Sequence, residues 1–192
     1  MVLHYVHHEH EHMVLHRDIK ASNVMLDSSF RGRLGDFGLA RIVGFNKDSY
    51  TDLGVAGTWG FIAPEYSVCH KATRKTDVYA SGVLLLEIVT GRRALGGGQQ
   101  RHGTTTFLLL ADWVWKLHQE GRLVVDGEFD PDDAVRLLLL WLACCNPNPS
   151  VEPAEVVQVV AKSVKPLDVP LAKPTFVWPP VGGIQLELDD ER

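Results

Sequence analysis

The chain has 192 residues, 45% of them hydrophobic and 22% charged, and it carries a net charge of −5. This composition can fill the core of one domain, or of part of a larger one, and it excludes a chain that is disordered throughout. The acidic balance without a basic stripe excludes a dedicated nucleic-acid-binding protein, and the three cysteines are too few for a disulfide framework, which favours a reducing compartment.

In chain order, the first half of the sequence predicts a helix end, a hairpin and a long loop. Residues 1–12 are polar and rich in histidine, which is typical of the end of a helix. Two short segments, 23–27 and 31–35, predict two strands joined by a turn. Residues 36–65 are rich in Gly, Ser, Thr and Asp and have no period, so they predict a long loop, and such loops in compact domains usually carry function.

The second half predicts four helices and a tail. Apolar residues recur at helical spacing over 76–90 and stop at a glycine. Further helices are predicted over 106–120, where threonines suit the N-cap, over 132–145 and over 153–163. From residue 164 onward prolines punctuate the chain, which predicts an extended tail.

No segment predicts a membrane span or a secretory signal. The most apolar stretches, 78–86 and 137–145, are each nine residues long, whereas a spanning helix needs about 18–20. The first residues lack the positive flank and long apolar run of a signal sequence. We therefore expect the chain by itself to be soluble.

Three short motifs in a fixed order carry the functional prediction. His16-Arg17-Asp18, with Asn23 five residues after the aspartate, fits the pattern H-R-D-x-x-x-x-N. Asp36-Phe37-Gly38 follows the predicted hairpin, and Ala63-Pro64-Glu65 closes the long loop. Each motif alone recurs by chance, but three in this order, with strand, turn and strand between the first two, are highly specific.

On these motifs, residues from about 12 to 163 resemble the C-terminal lobe of a eukaryotic protein kinase. The phrases at 14–27 and 57–66 look like plant receptor-like kinases, most closely the legume-lectin-domain group, and the phrase at 173–180 is similar to that group too. The resemblance implies a mainly α fold, a protein-kinase-like C-lobe with short β-strands around the catalytic loop.

The resemblance also implies how the chain is divided. It implies a remnant helix end at 1–12, a kinase C-lobe at 13–163 and a proline-rich tail at 164–192. Within the lobe it implies a catalytic loop at 16–23, an activation segment at 36–65 and a helical subdomain at 74–163. Only fifteen residues precede His16, too few for a glycine-rich phosphate lid, a nucleotide-binding lysine and its partner glutamate, so we expect the N-lobe to be absent.

Four residues are implied to carry the chemistry. Phosphoryl transfer depends on positioning and charge neutralisation more than on covalent help. The resemblance assigns Asp18 to accept the proton of the substrate hydroxyl and Lys20 to stabilise charge on the transferred phosphoryl group. It assigns Asn23 and Asp36 as oxygen ligands of Mg²⁺, and so as part of the ATP site. A lysine at position 20 resembles serine/threonine kinases rather than tyrosine kinases.

Arg17, beside the catalytic aspartate, points to regulation. In the family such an arginine can pair with a phosphate on the activation segment and order it. The candidate acceptors are Ser49, Tyr50 and Thr51, with Thr51 as the first choice. For any one of them the alternative is a plain loop residue.

Further residues are implied to support the site. Thr58 resembles the threonine that contacts the catalytic aspartate, and His16 belongs to the frame of the catalytic loop. Asp77 resembles a buried anchor whose carboxylate accepts backbone N–H bonds from that loop, since a buried carboxylate needs donors. Glu65 resembles a glutamate that pairs with an arginine, but Glu152 stands in the arginine's place, and we expect this change to loosen the lobe.

Two other features receive structural interpretations. The histidine cluster at 7–12 lacks a second chelating segment, so it is at best a loose surface metal site, and we interpret it as a solvated helix end. Ser81 stands where the family usually has phenylalanine, which removes apolar volume from the helix at 76–90.

The sequence therefore predicts a serine/threonine protein kinase lobe, a transferase that uses ATP and Mg²⁺ on a protein substrate and is weak or inactive by itself. The alternatives are a catalytically dead lobe that docks substrates or a partner kinase, and an incomplete gene product without a function of its own. The resemblance implies the cytoplasmic face of the plasma membrane as its location.

Overall fold

The structure is a computed structural model, and it describes most of the chain up to residue 174. The described residues are 2–44, 46–96, 99–101, 104–106, 109–122, 130–145, 153–162, 164 and 168–174.

The N-terminal part consists of a helical turn and two small antiparallel ladders. Helix α1 (Val2–His4) continues as a π-helical turn (Tyr5–Glu9), which agrees with the predicted helix end. Strands β2 (Val24–Leu26) and β3 (Gly32–Leu34) pair as the predicted hairpin. Strand β1 (Val14–Leu15) pairs with β4 (Arg41–Ile42), which brings the start of the long loop back beside the first motif.

The long loop is tied down near its middle and at its end. Strand β5 (Ser49–Thr51) pairs antiparallel with β6 (Lys71–Thr73), and helix α2 (Pro64–Cys69) lies between them in sequence. A short ladder of β7 (Gln99–Arg101) and β8 (Thr104–Thr106) follows later in the chain. The predicted loop is therefore irregular along most of its length but anchored by two strand pairs.

Four longer helices make up the rest of the described chain. They are α3 (Arg74–Thr90), α4 (Leu110–Gln119), α5 (Pro131–Cys144) and α6 (Pro153–Val160). A reciprocal capping box of two threonines starts α3, and Gly91 ends it in the left-handed conformation with φ 64°. Helix α4 begins four residues later than predicted: Thr106 ends strand β8, and Leu109 precedes the helix without a side-chain cap.

Helix α3 is the centre of the core and packs chiefly against α5. Contact is close because residue 82 is glycine: a Cβ atom there would lie 2.8 Å from Cδ1 of Trp141 and 3.1 Å from Cβ of Cys144. Val83 and Leu86 of α3 are fully buried, together with Trp141. This close packing fixes the position of α3 and therefore of the residues in its first turn.

The architecture is mainly helical with short strands, as expected. In the part of the chain that the structure describes, no helix is both long and apolar enough to span a bilayer. The limits of the lobe at 13–163 stay a prediction, as does the tail at 164–192, of which only residue 164 and residues 168–174 are described.

Candidate active site

The first motif lies in a buried loop that follows β1. His16 is fully buried, and Arg17, Asp18 and Asn23 are less than 9% exposed. Arg17 has a positive φ of 70°, a conformation that costs energy for a residue with a side chain and persists only where neighbours impose it. The loop is therefore held in one shape by its surroundings.

Asp77, in the first turn of α3, fixes the backbone of this loop by hydrogen bonds. One carboxylate oxygen accepts the backbone N–H of His16 and the other accepts that of Arg17, both at 2.8 Å. The imidazole Nε2 of His7 donates a third hydrogen bond to Asp77 at 2.9 Å. Both side chains are at most 1% exposed, so three donors compensate the cost of burying this carboxylate. We call Asp77 and its three donors the loop cradle.

His16 joins the first motif to the second. Its Nε2 donates to the backbone carbonyl of Gly35 at 3.0 Å, and its Nδ1 accepts the backbone N–H of Asp18 at 3.3 Å. These two bonds require the neutral tautomer with the proton on Nε2. The His16 ring also meets the Phe37 ring edge-on at 4.7 Å. The residue before Asp36 is thereby fixed relative to Asp18.

Asp18 is the centre of a polar cluster. Its carboxylate accepts the hydroxyl of Thr58 at 2.6 Å, the ammonium of Lys20 at 2.7 Å and the amide of Asn23 at 3.3 Å. Lys20 also donates to the Thr58 hydroxyl at 2.8 Å. Four predicted site residues, up to 40 positions apart, are thus brought together.

The same cluster sets the ionisation of Asp18. Burial raises the pKa of its carboxyl group, but the hydrogen bonds and charge of Lys20, with the bonds from Thr58 and Asn23, outweigh burial and lower the pKa below its ordinary value. Asp18 is therefore an ionised hydrogen-bond acceptor at neutral pH.

Asn23 and Asp36 offer oxygen atoms of the kind that Mg²⁺ prefers. The amide NH₂ of Asn23 donates to the backbone carbonyl and the carboxylate of Asp18, so its Oδ1 is left as the acceptor, with a long 3.4 Å bond from Ser22. Asp36 is exposed in a left-handed conformation with φ 54°, and one carboxylate oxygen accepts the N–H of Gly38 at 3.3 Å. The donor set of these two residues fits a hard divalent cation.

Arg17 has a partner that the sequence did not indicate. Its Nη2 donates to the Asp52 carboxylate at 2.6 Å and to the Tyr66 hydroxyl at 3.0 Å, and its Nη1 donates to the carbonyl of Leu39 at 3.0 Å. The expected arrangement was a phosphate on the activation segment. In the structure the partner is instead the Asp52 carboxylate of that segment, and Asp52 directly follows the strand that carries the three hydroxyls.

Those hydroxyls lie on β5. The Tyr50 ring lies 5.6 Å from the guanidinium carbons of both Arg17 and Arg41. Consecutive side chains of a strand point to opposite faces, so Ser49 and Thr51 face away from the side on which Tyr50 and Asp52 meet Arg17. This geometry gives no support to Thr51 as the residue opposite Arg17. Phosphorylation of any of the three stays a prediction.

Glu65, the last residue of the third motif, is the least satisfied acid of the region. Among the described residues its Oε2 is buried without a hydrogen-bond partner. Burial raises its pKa above the ordinary value, against smaller opposing effects of its own backbone N–H and of Lys75. Glu152, the residue expected to replace the arginine partner, lies outside the described residues.

Sequence reasoning missed three contributors and one hydrogen bond of Ser81. His7 belongs to the histidine cluster interpreted as a solvated helix end, but it is buried on Asp77 because it lies on the inner side of its helical turn. Tyr66 and Asp52 adjoin recognised residues, and only the fold brings them onto Arg17. Ser81, interpreted only as lost volume, donates its hydroxyl to the backbone carbonyl of Asp77 at 2.9 Å.

Comparison with known proteins identifies relatives of the whole described region. The family model described as "Protein kinase domain" matches residues 1–157. The probable L-type lectin-domain containing receptor kinase S.7 of Arabidopsis thaliana is 42% identical over 196 residues, covering 98% of the chain. Kinases S.5 and VIII.2 of the same group and organism are 40% and 42% identical and cover 92% and 89% of the chain. The chain spans 25–28% of the length of these relatives.

Proposed function

We propose that this chain, which belongs to the protein kinase family and is similar in sequence to plant lectin-domain receptor kinases, carries the phosphoryl-transfer half of a serine/threonine kinase active site. The observation that supports this proposal most strongly is the cluster of Lys20 and Thr58 on the Asp18 carboxylate, at 2.7 and 2.6 Å. In this cluster an ionised hydrogen-bond acceptor, Asp18, lies beside a cation, Lys20, whose position Thr58 helps to fix.

Asp18 acts on the acceptor hydroxyl. Its lowered pKa keeps it ionised, so it accepts a hydrogen bond from the hydroxyl of a protein substrate and orients the oxygen for attack. As the new bond to phosphorus forms and the bond to the nucleotide oxygen breaks, the hydroxyl proton passes to Asp18. Asn23 holds this carboxylate in place from the other side of the loop.

Lys20 and Thr58 define the position of the transferred group. The Lys20 ammonium lies between Asp18 and Thr58, so its charge is fixed where negative charge develops on the phosphoryl oxygens. Thr58 ties the end of the activation segment to Asp18, so an ordered segment and a correctly oriented catalytic acceptor occur together. We propose a serine or threonine hydroxyl as the substrate group because the lysine at position 20 resembles that of serine/threonine kinases.

Asn23 and Asp36 would hold Mg²⁺, which neutralises the phosphates of ATP when both are bound. The Oδ1 atom of Asn23 and the Asp36 carboxylate are the oxygen donors available for this purpose. His16 keeps the Asp36 segment in register through the Gly35 carbonyl. We propose ATP as the phosphoryl donor on this donor chemistry and on the family.

The proposal extends to substrate and location. Because the relatives are named as receptor kinases, we propose a protein substrate, with a partner kinase as one candidate, and the cytoplasmic face of the plasma membrane. We propose that the 192 residues by themselves transfer phosphate weakly or not at all. The Asp18 cluster positions the substrate hydroxyl, but it does not bind and orient the nucleotide, and transfer needs both groups in position.

A chimera tests the function. The chain is joined behind the N-terminal kinase lobe of the S.7 relative, and radiolabel transfer from ATP to serine, threonine and tyrosine peptides is measured. We expect transfer to serine and threonine, and a rate at least about a hundredfold lower for the 192-residue chain alone, because nucleotide positioning is lost. A folded chimera that binds Mg²⁺-ATP but transfers nothing would contradict intact catalytic residues and would support the alternative of a docking lobe.

A further inference from the structure

The guanidinium of Arg17 is buried in a polar site made by the activation segment. Its side chain is only 1% exposed, and the Asp52 side chain is 10% exposed. A buried cation of this kind requires an opposite charge nearby. The described residues supply one, the Asp52 carboxylate at 2.6 Å.

Tyr66 completes the site. Its hydroxyl donates to the Asp52 carboxylate at 2.5 Å and accepts from Arg17 at 3.0 Å and from the backbone N–H of Ala56 at 3.1 Å. Burial and the neighbouring Asp52 raise the Tyr66 pKa, so the phenol keeps the proton that it donates. Asp52 is also tied through its backbone N–H to the carbonyl of His70 at 2.9 Å. Two side chains thus hold the Asp52 carboxylate, and one backbone bond holds the Asp52 main chain.

This site is linked in a few steps to the cluster of Lys20, Asn23 and Thr58 on Asp18. Tyr66 holds Ala56, the next residue is Gly57, and Thr58 reaches Asp18. Gly57 has a φ of 127°, and a Cβ atom there would lie 2.8 Å from the Arg17 carbonyl oxygen. Residues 56–58 therefore lie directly against the backbone of Arg17, the residue whose side-chain charge Asp52 neutralises.

We propose that Asp52 is a positioning residue that takes the role of an activating phosphate, so that the activation segment is ordered on Arg17 without modification. The carboxylate provides the charge-assisted hydrogen bond that a phosphate group would provide. The positioning role rests on the proposed kinase function, but the ordering of the segment does not. A phosphate on Ser49 or Thr51 would start from the opposite face of β5 and would have to displace Asp52.

Hydrogen–deuterium exchange on the full chain tests the ordering without any need for activity. The protein is made free of phosphate with phosphatase, verified by intact mass, and compared with Asp52→Asn, which keeps the shape and removes the charge. Asp48→Asn is the matched control, because Asp48 is an exposed aspartate of the same segment. Near-UV circular dichroism verifies that all three are folded.

We expect the amides of Asp52 and Ala56 to be protected in the phosphate-free protein and in Asp48→Asn. They should exchange at least about tenfold faster in Asp52→Asn, since a hydrogen bond between charged groups shifts such an equilibrium by roughly one to two powers of ten. Equal exchange in Asp52→Asn, or protection that appears only after phosphorylation, would overturn the proposal.

The chimera adds the kinetic readout. A phosphate-free chimera should be active, and Asp52→Asn should lower kcat about tenfold or more with the KM for ATP unchanged, while Asp52→Glu restores most of the rate. A phosphate-free chimera that becomes active only after phosphorylation would overturn the positioning role. If no chimera is active in any state, the proposed function fails, and the exchange experiment still decides whether Asp52 orders the segment.

Discussion

The buried carboxylate of Asp77, next to the His16–Asn23 loop, and the partly buried carboxylate of Glu65, at the end of the 36–65 segment, differ in the hydrogen-bond donors around them. Asp77 accepts three hydrogen bonds at 2.8–2.9 Å and fixes the backbone around it. Glu65 has a buried oxygen without a partner among the described residues, and burial raises its pKa. A buried acid organises a loop only where donors converge on it; otherwise it weakens the fold.

This difference in hydrogen bonding has different consequences for the two regions. In the loop cradle, charge and hydrogen bonding hold a left-handed Arg17 and a buried His16 in one conformation. Around Glu65 the opposing effects of its own backbone N–H and of Lys75 are smaller than the effect of burial, so substitutions there should affect stability and leave the Asp18 cluster unchanged.

Removal of Asp77 should have the largest effect. Asp77→Ala leaves the buried N–H groups of His16, Arg17 and His7 without their acceptor, and each unpaired buried donor costs about 1–3 kcal/mol. We expect a loss of at least about 3 kcal/mol in the free energy of unfolding, or no folded protein, by urea denaturation. Asp48→Ala, on an exposed aspartate, should change it by less than about 0.5 kcal/mol. Similar values for the two variants would contradict the cradle.

Removal of one donor should have an intermediate effect. His7→Phe keeps a ring in the buried position and removes only the bond to Asp77, so we expect a loss of about 1–3 kcal/mol. His10→Phe is the control, since His10 belongs to the same histidine cluster but is exposed. If both substitutions proved equally mild in urea denaturation, the interpretation of His7 as a structural donor would be wrong.

Neutralisation of Glu65 should have the smallest effect and the opposite sign. Glu65→Gln removes a partly buried charge that its own backbone N–H and Lys75 only partly compensate, so we expect a gain of about 1 kcal/mol at neutral pH. Glu120→Gln, on the exposed surface, should be nearly neutral.

The pH dependence of Glu65→Gln follows from the direction of the shift. Because the pKa of Glu65 is raised in the folded state above its ordinary value of 4.5, the folded protein binds the proton more tightly than the unfolded chain. Relative to Glu65→Gln, the unmodified protein should therefore gain stability as pH falls from neutral toward 4.5 and change no further below that pH. A difference independent of pH would show that Glu65 is compensated.

The sequence predicted the parts of this molecule that depend on local patterns. The hairpin β2–β3 follows from a short apolar run between polar residues and the turn after it, and α3 follows from its apolar period and its terminal glycine. In the Asp18 cluster, a motif specifies Asp18 and Asn23 by residue type and spacing, and the family resemblance adds Lys20 and Thr58.

What the sequence could not predict depends on long-range packing. His7 and Asp77 are 70 positions apart, and Arg17 and Asp52 are 35 positions apart, so no local period relates them. The start of α4 was placed four residues too early because Thr104–Thr106 pair as a strand, and a tertiary strand pair overrides a capping preference.

The most direct test of the central claim is the effect of Asp18→Asn in the chimera. The substitution keeps the shape of the side chain and removes the ionised acceptor. We predict an unchanged Kd for Mg²⁺-ATP and a kcat lower by roughly two to four powers of ten, the usual contribution of a positioned acid–base group. A chimera whose kcat is the same with aspartate and asparagine at position 18 would contradict the account.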